Sequence, residues 1–172
     1  HIVTGLATTM QNLVACVNRA GVNVKESVLE QLAAADAVLT SDEKELGVAL
    51  VDIGGGTTDV AIYERGFLWH TSVTPIGGDH FTNDMAIGLR MPIPEAEKLK
   101  RKCGCALSTM VGDDEMMDVA SVGGRPPRVM ARRILSEVLQ PRAEEMFHLV
   151  WDEINRTGYE KVLNSGIVLT GG

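Results

Sequence analysis

Two unbroken apolar runs stand out in the first half of the chain, Val48-Ala49-Leu50-Val51 and Val60-Ala61-Ile62-Tyr63, followed by the mixed run Phe67 to Val73. Short apolar runs between turn residues read as strands. The pattern predicts strands over Val48–Ile53, Val60–Tyr63 and Phe67–Val73, and a last one over Ile167–Leu169. Val22–Leu29, Leu107–Val111 and Met116–Val119 are also strand-like. Helical spacing governs the rest. Met10, Leu13, Val14 and Val17 share a face of a helix that Thr8 or Thr9 can cap and Gly21 can end. Gln31–Leu39 reads as an alanine-rich helix, Thr40–Glu45 as a charged loop and Asp79–Gly88 as a helix. Pro94 opens a charged helix over Glu95–Lys102. Gly123-Gly124-Arg125-Pro126-Pro127-Arg128 reads as a rigid turn. Leu135, Val138, Leu139, Met146, Val150 and Ile154 share a face of a long helix from Ala131 to about Thr157. Pro141 must kink or divide it, since proline lacks an N–H and clashes with the preceding turn, and Gly158 ends it. Elements mixed in this order predict an α/β domain with a mixed sheet.

Composition narrows the class. The 172 residues suffice for one ordinary domain or two small lobes, and 45% apolar content with 4% aromatic residues requires a mostly aliphatic core. A net charge of −7 argues against broad nucleic-acid binding, which needs a basic face. Cys16, Cys103 and Cys105 are odd in number, and Cys103-Gly104-Cys105 has no second pair at zinc spacing, so a reduced cytosolic protein is the simple reading. No apolar stretch approaches the ~20 residues of a membrane span, and no signal peptide is visible. The chain opens on His1 within the strand-like Ile2–Thr4 and stops at Gly171-Gly172 in mid-pattern, as expected of a piece of a longer protein.

The chemistry concentrates where Val48–Ile53 meets the next strand. Asp52-Ile53-Gly54-Gly55-Gly56-Thr57-Thr58-Asp59 is a glycine turn with two hydroxyls and an acid at each end. Glycines let backbone N–H groups approach a phosphate because no Cβ blocks them. Asp52 and Asp59 can hold a hydrated Mg²⁺, which takes oxygen ligands and keeps most of its waters. A strand follows the loop, unlike dinucleotide-binding and Walker-type loops, where a helix follows. An ordinary hairpin with a glycine-rich turn is the bland alternative. Gly77-Gly78 lies between a strand and a helix, where N–H groups of the helix start would be available to an anion, and Gly171-Gly172 follows the last strand.

These residues carry a resemblance. Asp52 to Asp59 resembles the second phosphate motif of the actin-like ATPase superfamily, which includes actin, the heat-shock chaperone ATPases and bacterial MreB, and Ile167 to Gly172 resembles the start of its adenosine motif. Within that superfamily the chain is most similar to the FtsA family of bacterial cell-division proteins. The signals are His1-Ile2-Val3-Thr4-Gly5, Cys16 to Gly21, Asp42 to Asp52, Gly104-Cys105-Ala106-Leu107 and Ser121 to Arg128. The resemblance implies an actin-like (ribonuclease H-like) fold. Residues 1–40 would close the first lobe. Residues 41–81 would form the core of the second lobe with its three-strand meander, residues 82–130 an inserted partner-binding subdomain, and residues 131–172 the return to the core.

It also implies site roles. Asp52 would coordinate Mg²⁺ through water, with Asp59 supporting it. Gly54, Gly55, Gly56, Thr57 and Thr58 would donate to the β- and γ-phosphates of ATP, with Gly77 and Gly78 beside them. Gly171 and Gly172 would approach the adenosine. Glu97 and Lys100 match the superfamily's contacts to ribose and base, although a solvated pair accounts for them equally and Glu95/Lys98 share the spacing. Glu30 would position the attacking water if ATP is hydrolysed. Arg125, Arg128, Arg132 and Arg133 form a basic cluster in an acidic chain, suited to carboxylates, and FtsA-like proteins use this subdomain to bind the acidic C-terminal tail of the tubulin-like protein FtsZ. Asp113-Asp114-Glu115 and Asp118 lack EF-hand spacing and read as a solvated loop, and Trp69, His70 and His148 as packing or surface residues.

Two functions fit. One is an ATP-binding adaptor that self-associates into filaments, recruits later division proteins and links the FtsZ ring to the inner membrane. It would sit on the cytoplasmic face of that membrane through a segment absent here. The other is an active ATPase of the chaperone or kinase type using the same site. With the first phosphate loop upstream and the adenosine loop cut at Gly172, this segment alone is expected to bind nucleotide poorly.

Overall fold

The computed structural model describes residues 4–172. The strand expected at Ile2–Thr4 falls outside that range, apart from its last residue. Helix α1 (Ala7–Arg19) starts after Leu6 with no side-chain cap, so Thr8 and Thr9 lie inside the first turn rather than capping it. None of its residues is buried. Residues 22–29 form no strand, contrary to their composition, because no neighbouring strand pairs with them among the described residues. Helix α2 (Glu30–Val38) follows. The expected loop over Thr40–Glu45 is instead a short helix, α3 (Ser41–Leu46), started by a capping box in which Thr40 and Glu43 satisfy each other's backbone N–H groups.

Strands β1 (Val48–Ile53), β2 (Thr58–Glu64) and β3 (Phe67–Thr74) form an antiparallel meander. β6 (Ile167–Gly171) pairs parallel with β1, giving the order β3-β2-β1-β6 in a mixed sheet. The unbroken apolar runs are explained by what covers them. Val48, Leu50, Ala61 and Tyr63 pack against Ala35 and Leu39 around α2, while Ala49, Val51, Val60 and Ile62 pack against Val150 and Ile154 on the other face. Both faces of β1 and β2 are covered.

A second core lies apart from the sheet. It joins Met85 and Leu89 of α4 (Gly78–Gly88 and its cap), Ala96 and Leu99 of α5 (Ile93–Cys103), and Met117 and Val119 of β4 (Met116–Val119) to Leu135 and Leu139. β4 pairs with β5 (Arg128–Ala131), whose first residue reads from sequence as the end of a turn. Ser108–Met110 is a 3-10 turn, so the strand expected over Leu107–Val111 does not form. Helix α6 (Arg132–Thr157) is a single 26-residue helix with Pro141 inside it, so the proline does not divide it. It serves both cores: Leu135 and Leu139 precede Pro141 and enter the second core, while Val150 and Ile154 follow it and cover the sheet. Gly158 ends it in the left-handed conformation at φ 74°.

Candidate functional site

The loop between β1 and β2 is residues 54–57. It closes tightly, with Gly54 N–H donating to Thr57 O at 2.9 Å. Gly55, Gly56 and Thr57 are exposed, and a Cβ on Gly56 would meet nothing within 4 Å, so the loop's crest is open to a ligand. Asp52 and Asp59 are register partners across β1 and β2. Directly opposed residues of an antiparallel pair share a face, so both carboxylates stand on the α2 side at the root of the loop.

Gln31 Nε2 donates to Asp59 Oδ1 at 2.5 Å, and Thr57 Oγ1 to Asp59 Oδ2 at 3.3 Å. Asp52 lies against β6: a Cβ on Gly171, whose φ is +104°, would come 2.7 Å from Asp52 Oδ1 and 2.3 Å from Ile53 O. Only glycine fits there. Gly172 N–H donates to Ile53 O at 3.2 Å. The two carboxylates stand on one face beside the open glycine loop, and no third His, Cys or acid is grouped with them among the described residues.

The second glycine pair is stitched to the first. Gly78 N–H donates to Gly54 O at 2.9 Å and Asp79 N–H to Gly55 O at 2.8 Å. A Cβ on Gly77 would lie 2.6 Å from both of those carbonyl oxygens. Gly77 N–H goes to His80 Nδ1 at 3.1 Å. The N–H groups expected to face an anion at the start of α4 are therefore already bound. A helix's first N–H groups have no partner inside the helix, and here the carbonyls of the first loop supply one. Gly77 and Gly78 buttress the loop. Contrary to the expected role, the Thr58 hydroxyl also turns inward: Thr58 is fully buried and donates to Ile76 O at 2.8 Å, so that hydroxyl is not presented to a ligand.

Glu97 and Lys100 do reach this place. Lys100 Nζ donates to Gly78 O at 3.0 Å and lies 2.6 Å from Glu97 Oε2, and both side chains meet the buried Thr82 hydroxyl. The Glu97 carboxyl is held below the usual carboxylate range, first by the hydrogen bond from Lys100 and then by that from Thr82. Glu95 and Lys98 form a separate pair at 2.7 Å with Lys98 72% exposed. Glu30 is exposed at the first position of α2, whereas its neighbour Gln31 is buried and faces Asp59. Gln31 Oε1 is buried with no hydrogen-bond partner among the described residues. The sequence places a polar pair at a helix start, and only the orientation of that helix on the sheet decides which member points inward.

The four arginines do not act as one free cluster. Arg132 donates to Cys103 O at 2.8 Å and to Glu115 Oε2 at 2.5 Å, and Arg133 to Asp113 Oδ1 at 2.6 Å. The acidic loop expected to be merely solvated supplies those partners. The Glu115 carboxyl is held low by the Gly112 N–H first and then by Arg132. Arg128 donates to Leu89 O. Arg125 and Arg128 line a cleft of about 310 Å³ with Arg90, Ser121 and Val122.

Residues 49–171 match the family model described as Cell division protein FtsA. The chain belongs to the FtsA family. It is 53% identical over 172 residues to the cell division protein FtsA of Pseudomonas aeruginosa, covering all of this chain and 41% of that protein. With the FtsA of Escherichia coli K12 the identity is 45% over 179 residues, covering 100% and 43%. The chain thus spans about two fifths of the length of these relatives. Among solved structures, MreB 5 of Spiroplasma citri bound to AMPPNP aligns with a TM-score of 0.76 at 21% identity, covering 98% of this chain and 54% of that one. The fold is therefore actin-like. No helix among the described residues is long and apolar enough to cross a membrane.

Proposed function

We propose that this segment is the nucleotide-holding second lobe of an ATP-dependent cell-division adaptor, with residues 1–40 closing the first lobe and residues 82–130 forming an inserted partner-binding subdomain. The observation that carries the reading is the pair of stitched glycine loops with Asp52 and Asp59 on one face at their root and Glu97 and Lys100 at their back. The crest Gly55-Gly56-Thr57 presents backbone N–H groups to the β- and γ-phosphates of ATP, Asp52 and Asp59 hold the waters of Mg²⁺, and Gly171-Gly172 leave room for the adenosine. Mg²⁺ supplies charge neutralisation between the phosphate oxygens when bound. The AMPPNP bound to MreB 5 of Spiroplasma citri supports a nucleotide in this fold.

Arg125 and Arg128, with Arg90, offer a carboxylate-binding cleft for the acidic C-terminal tail of FtsZ, while Arg132 and Arg133 brace that face through Glu115 and Asp113. In the full-length protein the closed, nucleotide-bound form self-associates into filaments, recruits later division proteins and holds the FtsZ ring at the cytoplasmic face of the inner membrane through a segment outside this chain.

One observation favours turnover as a second reading: the unpartnered Oε1 of Gln31 beside Asp59 is placed to accept a hydrogen bond from an attacking water. The role assigned by resemblance to Glu30 then passes to Gln31. The test is MgATP binding and steady-state turnover of the full-length protein, side by side, with Asp52→Ala and Gln31→Ala. Binding lost in Asp52→Ala with negligible turnover in the unsubstituted protein supports the adaptor. Turnover abolished by Gln31→Ala with binding intact supports the ATPase. No binding by the unsubstituted protein removes both.

A further inference from the structure

The N–H of Gly77 has a titratable acceptor. Gly77 is buried and caps the start of α4 in an extended conformation, φ −163° and ψ −166°. Its N–H donates to Nδ1 of His80, three positions on, at 3.1 Å, and the His80 N–H donates to Gly77 O at 3.1 Å. In a capping box a glutamate or glutamine at this third position accepts from the same N–H. An amide oxygen accepts at any pH, but an imidazole nitrogen accepts only while it carries no proton. A backbone N–H can only donate, so Nδ1 is the bare nitrogen and the neutral ring keeps its proton on Nε2.

Gly77 also lies where the two glycine loops touch. A Cβ there would be 2.6 Å from Gly54 O and Gly55 O, and the next two N–H groups, of Gly78 and Asp79, hold those carbonyls at 2.9 and 2.8 Å. The carbonyls of Gly54 and Gly55 are thereby turned toward α4. In a trans peptide the N–H lies opposite the carbonyl, so the N–H groups of Gly55 and Gly56 are turned away from α4. Charged groups surround the start of α4. Asp79 precedes His80, and Asp84 lies one turn on, held by Arg142 of α6, which Glu145 also meets. From α5, Glu97 and Lys100 meet the Thr82 hydroxyl and each other. Asp52 and Asp59 stand at the root of the first loop. None of these takes the Gly77 N–H, whose acceptor is the imidazole.

We propose that His80 is a positioning residue for the phosphate loop and makes that loop proton-sensitive: the neutral imidazole clasps the Gly77 N–H and holds the stitched loops in place, and a proton on Nδ1 opens the clasp and weakens the hold on the nucleotide's phosphates. The inference rests on the nucleotide reading above and adds a control on it. Protonation turns the contact into two donors facing each other and leaves a buried N–H without its acceptor. Imidazole is the side chain that changes charge between about pH 5 and 8.

The test is the MgATP affinity of the full-length protein at about pH 8 and about pH 6, in the unsubstituted chain, His80→Gln and His80→Ala. A terminal phosphate also changes charge in this range, so each variant is compared with the unsubstituted chain at the same pH. His80→Gln keeps an acceptor that does not titrate. At about pH 8 it should bind within about twofold of the unsubstituted chain, and at about pH 6 about tenfold more tightly than it, the scale of one hydrogen bond. His80→Ala should be about tenfold weaker than the unsubstituted chain at about pH 8 and equal to it at about pH 6. Without nucleotide, the Gly77 amide resonance should shift with pH at the midpoint of the His80 ring. A Gly77 amide that ignores the His80 titration overturns the proposal. Unsubstituted and His80→Gln proteins losing affinity in parallel overturn it too, while the nucleotide reading stands. Absence of MgATP binding at both pH values defeats the nucleotide reading and the positioning role with it.

Discussion

Gln31 reaches from the first turn of α2 to Asp59 at the root of the glycine loop, with Nε2 donating to Oδ1 at 2.5 Å and its own Oε1 buried without a partner among the described residues. An unpaired buried carbonyl costs about 1–3 kcal/mol. A side chain that bears this cost while holding a candidate metal-site acid is suited to a third group that arrives with the ligand. On the second reading, in which the full-length protein turns ATP over, Gln31→Ala is expected to lower hydrolysis about a hundredfold, with MgATP affinity nearly unchanged. Glu30→Ala, at an exposed position, should leave the rate within about twofold. Single-turnover rates on both variants decide between the neighbours, and the reverse ranking returns the role to Glu30.

The two glycine loops make opposite demands. A Cβ on Gly77 would sit 2.6 Å from two backbone oxygens of the first loop, whereas one on Gly56 would meet nothing within 4 Å. Gly77→Ala must push the loops apart and should destabilise by about 1–3 kcal/mol, read as a lower unfolding midpoint in denaturant. Gly56→Ala should leave the midpoint nearly unchanged and weaken MgATP binding, because its new methyl occupies the face proposed for the phosphates. Equal midpoints for the two variants would show that the stitching does not hold the loops together.

Arg132 and Arg133 pair with acids, whereas Arg125 and Arg128 line the cleft. Arg132→Ala breaks the bonds to Cys103 O and Glu115 and should loosen the loop at Gly112–Glu115, visible as faster amide exchange there. Arg125→Ala with Arg128→Ala should instead weaken binding of an acidic FtsZ-tail peptide, by about tenfold or more at low salt and less as salt rises. Unchanged peptide affinity in that double variant would place the partner elsewhere.

Acid sensitivity should come from carboxylates held low in the fold. Glu153 is kept below the usual range by Arg156 first and also by His70, whose contact at 3.0 Å fastens α6 against β3. Glu97 is held low by Lys100 and Thr82. A carboxyl with a depressed folded-state pKa contributes stability that is present above its unfolded value, about 4.3, and lost as pH falls through the folded value. Melting temperature should therefore drop as pH is lowered below about 4.5, and Glu153→Gln should flatten that limb. A midpoint that is level down to about pH 3 in the unsubstituted chain would remove these groups from the account.

Much of this protein was legible in its sequence. Val48–Ile53 is a buried strand because its unbroken apolar run, Val48 to Val51, can be satisfied only between two covering layers, and α2 and α6 provide them. The glycine loop with Asp52 and Asp59 was visible because its chemistry is contained in eight consecutive residues. Gly158 and the apolar stripe of α6 likewise act over neighbouring turns of one helix. Tertiary structure decided whatever depends on a partner far along the chain. Residues 22–29 have strand composition and stay out of the sheet, since a strand exists only beside another. β5 forms because β4 is there to pair with it. The Thr58 hydroxyl and the N–H groups at the start of α4 are the kind that face a ligand, and they face the protein because Ile76, Gly54 and Gly55 offer acceptors at closer range. Gln31 rather than Glu30, and Thr82 beside Glu97 and Lys100, were set by the packing of helices onto the sheet and onto each other. Local spacing specifies which residues share a face, and only the packed fold specifies what that face meets.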